Sequence, residues 1–286
     1  MRNDFAVFIL SHGRADRVYT LDTLLKQGYM GRWYIIIDNE DGQAEEYFSR
    51  FGKENVIMFD KSEWRNKVKT LDNFKEPDKI VLYARNACFD IAKKLGLRYF
   101  AEFDDDYKTF RVRFIVKSKD REASIRNLDE VFEMVLRLLD NTNIDCVAFA
   151  QGGDYIGGKD NEILVKGFKR KAMNTFFFKT DQPFEFIGRI NEDANAYVYF
   201  GNLGKIFLTI GNIYINQIQT QKNKGGLTEA YLNLGTYIKS FYTVMLLPSA
   251  VKVSVVGNKY FRMHHKILWK YTVPNIVSDK YRRQGF

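Results

Sequence analysis

The chain has 286 residues, of which 45% are hydrophobic and 15% aromatic, with 44 basic against 35 acidic residues and a net charge of +9. These are globular values that exclude wholesale disorder, and the length suits one large α/β domain or two modest ones. No apolar run approaches the ~20 residues of a membrane helix and residues 1–14 lack a signal-peptide pattern, so the cytoplasm is the expected compartment.

Residues 5–10 form a continuous apolar run, as in a strand buried on both faces. After a polar turn, Val18, Leu21, Leu24 and Leu25 recur at helical spacing until Gly28 ends the helix. Residues 33–38 read as a second strand, closed by the polar turn 39–42. A helix near 43–51 stops at Gly52, and residues 56–59 read as a third strand. Residues 84–95 read as a helix with Cys88, Ile91, Ala92 and Leu95 inward, and 98–103 as the next strand. This alternation predicts a mostly parallel sheet with helices on both faces. Beyond residue 106 the pattern changes. Residues 109–116 partly alternate, a long amphipathic helix covers about 125–140, and strand 145–151 precedes a Gly-rich loop at 152–158. A strand at 174–178, a short helix at 192–200, strand pieces at 206–218, a helix near 228–240 and a strand at 251–256 follow. With no repeat, no Pro- or Ser-rich linker and only four prolines, one domain spanning 1–286 is the economical expectation. Cys88 and Cys146 fall inside a helix and a strand, as core thiols of a reducing compartment would, rather than as a disulfide pair.

The most telling stretch is residues 98–107, an aromatic strand that ends in three consecutive carboxylates, Asp104, Asp105 and Asp106. In extended geometry Asp104 and Asp106 project from one face, and two such groups suit a hard divalent cation that keeps water or phosphate oxygens as its other ligands. Open α/β sheets bind their ligands at that edge. Strand 5–10 delivers Ser11, His12, Gly13 and Arg14 there, where Gly13 allows close backbone approach and Arg14 can meet a phosphate or an acid. Asp38 closes the second strand, where a carboxylate can accept hydrogen bonds from a base or ribose or can simply form a turn. Arg85 and Asn86, at the expected start of helix 84–95, would add a fixed charge to unpaired N–H groups, a suitable place for a diphosphate.

The sequence Tyr-Ala-Arg-Asn-Ala-Cys, a helix, then an aromatic strand ending in Asp-Asp-Asp resembles the family-2-like glycosyltransferases of GT-A fold. The opening Leu-Ser-His-Gly-Arg-Ala-Asp-Arg resembles a narrower branch, the phage and bacterial glycosyltransferases associated with TET/JBP-type pyrimidine dioxygenases. The first resemblance covers residues 5–106 well and the remainder loosely. It implies a Rossmann-like α/β sheet with a nucleotide-sugar-binding half at 1–106 and an acceptor-binding half at 107–286. Asp104 and Asp106 would hold Mn²⁺ or Mg²⁺ on the diphosphate of a nucleoside-diphosphate sugar, a UDP-sugar first among them, with Asp105 near the ribose or sugar. Ser11, His12, Arg14 and Asp38 would line the nucleotide pocket, with Arg85 and Asn86 by the phosphates. One of His264 and His265 would add a third metal ligand, and Glu192 or Asp193, at an acidic helix start, would take the acceptor's proton. The narrower branch implies a hydroxylated pyrimidine, 5-hydroxymethyl or 5-hydroxy, in phage DNA as acceptor, and a host cytoplasm as the place of action.

Basic clusters follow the triplet at Lys108, Arg111, Arg113, Lys117, Lys119 and Arg121, then at Lys166, Lys169, Arg170 and Lys171, and at Lys280, Arg282 and Arg283. Of these, Arg111, Arg113, Lys169, Arg170 and Lys171 are the candidate nucleic-acid contacts; Tyr155 and Phe168 beside them could stack on a base, but core packing is the role expected of both. A transferase acting on a glycan, lipid or protein, and a metal-dependent nucleotidyltransferase or nuclease, are the rival functions. The latter gives the Ala-Arg-Asn helix no task. A non-catalytic DNA-binding module is disfavoured, because three consecutive aspartates repel phosphate without a cation.

Overall fold

The computed structural model describes residues 1–74, 78–155, 163–164, 167–218, 238–257 and 261–272. In chain order its elements begin with β1 (Phe5–Leu10), α1 (Tyr19–Lys26), β2 (Arg32–Asp38), α2 (Ala44–Phe51), β3 (Val56–Phe59) and α3 (Lys61–Lys67). Next come α4 (Val81–Lys94), β4 (Tyr99–Asp104), β5 (Tyr107–Val116), β6 (Lys119–Ser124), α5 (Leu128–Asp140), β7 (Cys146–Gln151) and β8 (Phe168–Lys169). β9 (Phe176–Lys179), α6 (Glu192–Asn202), β10 (Phe207–Gln217), α7 (Lys239–Leu246), β11 (Val251–Val256) and β12 (Arg262–Ile267) complete the order. No helix among the described residues is long and apolar enough to cross a membrane.

The main sheet runs β3-β2-β1-β4-β9-β7-β10-β5-β6, with β8 beside β10. β3, β2, β1 and β4 are mutually parallel, as are β7 and β10. β9 is inserted antiparallel between β4 and β7, and β5 and β6 close the far edge as an antiparallel hairpin. Alternation along β1 shows why both faces are covered. Phe5, Val7 and Ile9 pack into a core shared with α1, α2 and α5, whereas Ala6, Phe8 and Leu10 pack into a second core with α4 and α6. The continuous apolar run at 5–10 therefore serves two cores at once. Cys88 and Cys146 are buried and unpaired.

Several boundaries differ from the sequence-based expectation. α4 starts at Val81 rather than residue 84, so Arg85 and Asn86 stand in its second turn and not at its N-terminus. α3 and β6 have weak apolar periodicity and escape a pattern based on it; α3 is announced instead by Asp60, whose carboxylate accepts the Ser62 N–H at 2.9 Å. The 206–218 pieces are one bulged strand, and the helix expected near 228–240 lies mostly outside the described residues, α7 beginning at Lys239. The chain runs from β1 through α1 to β2 on one side, while β4 flanks β1 on the other. Ligands of open α/β sheets bind at the strand ends of such a reversal, and the triplet lies there.

Candidate active site

The ends of β1, β2 and β4, the start of α6 and strand β12 all border one cavity of about 770 Å³. On its β1–β2 side the loop after β1 is held by side chains from beyond the end of β2 and from α2. Gly13 takes a left-handed φ of 64°, and its N–H donates to the Asp41 carboxylate at 2.8 Å. Asp41 also accepts the Gln43 N–H at 2.9 Å, and the Tyr47 hydroxyl accepts the Arg14 N–H at 2.9 Å. Ser11 Oγ, within 2.7 Å of that hydroxyl, donates to Asp105 Oδ2 at 2.6 Å, while Arg14 Nη1 reaches Asp105 Oδ1 at 2.9 Å. Ser11 and Arg14 thus fix the middle carboxylate of the triplet. His12 Nδ1 lies 2.7 Å from Asp38 Oδ2 and 3.7 Å from Asp41 Oδ2. Burial pushes the Asp38 carboxyl up, but the His12 contact and Lys61 outweigh it and hold the group below its ordinary range.

The triplet is also gripped from behind by Thr20 on α1. Its N–H donates to the Asp105 carbonyl at 3.1 Å, and its hydroxyl donates to the Asp104 carbonyl at 2.5 Å and accepts the Tyr107 N–H at 2.9 Å. Asp105, expected near ribose or sugar, turns inward instead and is 2% exposed. Burial raises its carboxyl pKa, against the pull of Arg14 and the Ser11 hydrogen bond. Asp104 and Asp106 both border the cavity. Asp106 Oδ1 is buried with no hydrogen-bond partner among the described residues. Its carboxyl is pushed up to about 7 by burial and by repulsion from Asp104 and Asp105, with Arg14 opposing.

The Arg85 side chain is 2% exposed, with Nε 3.2 Å from Glu192 Oε1, Nη1 3.4 Å from Glu102 Oε2 and Nη2 3.2 Å from Asp104 Oδ1. A guanidinium already shared among three acidic groups is engaged by protein, while it also borders the cavity. It ties the end of β4 to the start of α6, so it joins the two halves of the site. Asn86 does not border the cavity; it donates to the Leu82 and Phe186 carbonyls and accepts the Phe186 N–H at 2.8 Å. Glu102, mid-strand and fully buried, is raised to about 8 chiefly by burial. An acid at the centre of an aromatic strand demands a buried cation, and that signal was present in residues 98–104. Replacing Arg85 by Met should destabilise the fold by about 3–5 kcal/mol, the cost of breaking a buried ion pair. Chemical denaturation measures this, and an unchanged midpoint would show that the three carboxylates need no clamp.

The second half supplies Glu192, Asp193, Gln151, Asn174, His264 and His265 to the same cavity. The preceding turn requires Gly188, at φ 92°, where a Cβ would meet Asn195 Nδ2 at 2.3 Å. Glu192 is raised to about 7 by burial and by repulsion from Asp193, with Arg85 opposing. Asp193 is raised by burial and accepts the Ala194 N–H at 2.6 Å. His264 and His265 stand in β12, their rings 4.4 Å apart, and His265 Nδ1 is buried without a partner. Burial and then His264 lower His265 to about 4, so it is a neutral imidazole at neutral pH. Sequence reasoning missed the site roles of Tyr47, Gln151 and Asn174, which carry no local motif.

The expected nucleic-acid contacts are largely engaged within the protein. Arg111 pairs with Glu122 at 2.9 Å, and Arg113 pairs with Asp120 while stacking over Tyr155 at 4.5 Å. Lys169 and Lys171 lie 3.7 and 3.0 Å from Asp154, and Arg170 stacks on Trp269 at 5.2 Å. Tyr155 is buried and donates to the Gly211 carbonyl, while Phe168 is exposed. Lys166, Lys280, Arg282 and Arg283 lie outside the described residues.

A divalent cation fits the donor chemistry in part. Crowded carboxylates with an orphaned buried oxygen at Asp106 lack a positive charge, and Asp104 and Asp106 offer hard oxygen ligands. However, no group of three His, Cys, Asp or Glu that could hold a metal is assembled among the described residues. His264 and His265, of which one is expected to offer a third ligand, border the same cavity as the aspartates.

The model of the TET-associated glycosyltransferases matches residues 5–226. The chain belongs to that family. As a family member it is a glycosyltransferase, and the residues bordering the aspartate cavity lie within the matched segment apart from Lys239, His264 and His265 beyond it. No curated protein matches the chain. Solved structures similar to it include glucosyl-3-phosphoglycerate synthase from Mycobacterium tuberculosis in complex with Mg²⁺ and UDP, at 10% identity and TM-score 0.44, covering 92% of this chain and 87% of that one. Mannosyl-3-phosphoglycerate synthase from Rubrobacter xylanophilus is similar at 12% identity and TM-score 0.44, covering 92% and 84%. A mycobacterial protein reaches 0.48 at 9% identity, covering 92% and 83%. Likeness this distant carries no argument about donor or acceptor.

Proposed function

We propose that the protein transfers a sugar from a nucleoside-diphosphate sugar, a UDP-sugar first among the candidates, to the hydroxyl of a hydroxylated pyrimidine in DNA. The observation that carries this reading is the meeting of two acidic groups in one cavity: Asp104 and Asp106 from β4 and its turn, and Glu192 and Asp193 from α6. A volume of about 770 Å³ is of the size that small-molecule and cofactor sites occupy. The His12–Asp38 pair at the end of β2 offers polar atoms to the nucleotide. Mn²⁺ or Mg²⁺ held by Asp104 and Asp106 would neutralise the donor diphosphate when bound. Asp193 takes the proton from the attacking hydroxyl as its oxygen bonds to the anomeric carbon and the bond to the diphosphate breaks. Burial raises the basicity of the Asp193 carboxylate, which suits proton abstraction near neutral pH. A base stacked in duplex must be extruded to reach the cavity. The family supports a DNA acceptor through its association with TET enzymes.

The test incubates purified protein and Mn²⁺ with a panel of nucleotide sugars and DNA carrying 5-hydroxymethyl- or 5-hydroxypyrimidine, followed by digestion to nucleosides and mass analysis. The expected product is a nucleoside heavier by one glycosyl unit. Transfer to saccharide acceptors with none to DNA would replace this reading with a glycan transferase.

A further inference from the structure

Resting on the DNA-acceptor reading, we propose that the β5–β6 hairpin is a duplex-DNA-binding ribbon. It acts through Lys117, Lys119, Arg121 and Phe114, not through the arginines nearer the sheet. β5 pairs with β10 only as far as Val112, so residues 113–122 extend as a two-stranded ribbon with no third strand among the described residues. Its register sorts the side chains into two unlike faces. One face carries Arg111, Arg113, Ile115, Asp120 and Glu122, in which both arginines are neutralised by acids of β6. The other places Phe114 opposite Arg121 and Val116 opposite Lys119, with no acid in the row.

Lys117, Lys119 and Arg121 are exposed and make no ion pair among the described residues. Phe114 and Val116 are 36% and 47% exposed. Lys117 and Ser118 turn the hairpin with φ of 46° and 59°, the geometry of a tight two-residue turn. Exposed apolar groups on an edge hairpin invite pairing with a second copy. Lys119 and Arg121 on that face, with Lys117 at the adjoining turn, make no ion pair among the described residues, so they repel a second copy of that face and attract a polyanion. A two-stranded ribbon also matches the width of the B-DNA major groove, about 12 Å, whereas the deep, narrow groove of A-form RNA excludes it. From Tyr107 to Val116 the strand extends about 30 Å, so the ribbon contacts a duplex about nine base pairs from the nucleotide held at the aspartates. The hairpin therefore positions the duplex while the cavity reads the base.

The experiment measures binding of a labelled duplex of about 30 base pairs, free of modified bases, between about 50 and 200 mM salt. The full chain is compared with the variant Lys117→Ala, Lys119→Ala, Arg121→Ala and with Phe114→Ala. The triple variant should lower the slope of log affinity against log salt by about two to three units, near 0.9 for each lost phosphate contact. Phe114→Ala should weaken binding without changing the slope. Metal-dependent hydrolysis of the donor by water and the melting temperature should be unaltered in both. Wild-type binding with an unchanged slope in the triple variant overturns the hairpin assignment and leaves the DNA-acceptor reading intact. Equal or better binding of duplex RNA, or a wild-type dimer that the triple variant dissociates, also overturns it. Absence of any duplex binding by the wild type also overturns the hairpin assignment, while the nucleoside mass analysis decides the DNA-acceptor reading separately.

Discussion

Asp106→Asn should abolish metal-dependent glycosyl transfer and at the same time stabilise the apoprotein. In the folded chain the Asp106 carboxylate is half-buried, one oxygen has no hydrogen-bond partner among the described residues, and Asp104 and Asp105 repel it. Its carboxyl pKa therefore stands at about 7 rather than the ordinary 3.8. The sign follows: the folded state holds this proton more tightly than the unfolded state, so wild-type stability falls as pH rises from about 4 to about 7. Asn carries no charge, so its advantage should be near zero at pH 4 and complete above pH 7. A gain on the order of 1–2 kcal/mol is the scale of such relieved defects. Denaturant titrations in chelator across this range measure it. Asp104→Ala should be equally inactive but not more stable, since it removes one partner of Arg85. A variant at either position that keeps near-normal, metal-dependent turnover would remove the central claim.

Much of this site is legible in the sequence because strand ends are punctuated. A run of buried residues that stops at three aspartates can only place them at an edge, and the β-α-β order fixes which edge. Ser11, His12, Arg14, Asp38, Asp104, Asp106, Glu192 and Asp193 do border one cavity. What the sequence hides is which groups already satisfy one another. Arg85 looks available because its partners, Glu102 and Glu192, are 17 and 107 residues away. α4 starts three residues earlier than the pattern suggests, so Arg85 stands in its second turn, at the cavity and among those acidic partners. Tyr47 and Asp41 shape the loop after β1 through side chain to backbone contacts, which no residue pattern announces. The basic run after Asp106 reads as one cluster, yet the hairpin register splits it into a neutralised face and a free one. Register depends on the turn at Lys117 and Ser118, neither of them the Gly or Asn that such turns favour.

Asp193→Asn should reduce transfer by ~10² or more while donor and DNA affinities survive. Asn keeps the size and hydrogen bonding of Asp but cannot accept the acceptor's proton. Slow donor hydrolysis by water, which needs no positioned base, should persist and shows that the nucleotide side is intact. The neighbouring Glu192 provides the contrast. Its carboxylate receives Arg85 Nε at 3.2 Å, whereas among the described residues the hydrogen bond to the Asp193 carboxylate comes from the Ala194 N–H. Glu192→Gln can still accept that bond, but Arg85 then faces two carboxylates instead of three, so the loss should appear as altered stability more than as lost chemistry. Single-turnover transfer for both variants, alongside their denaturation midpoints, separates the two roles. Normal transfer by Asp193→Asn with a dead but stably folded Glu192→Gln moves the base one residue earlier. If both transfer normally, the pair serves only the helix start, where acids are favoured by the exposed N–H groups, and another group in the cavity takes the proton.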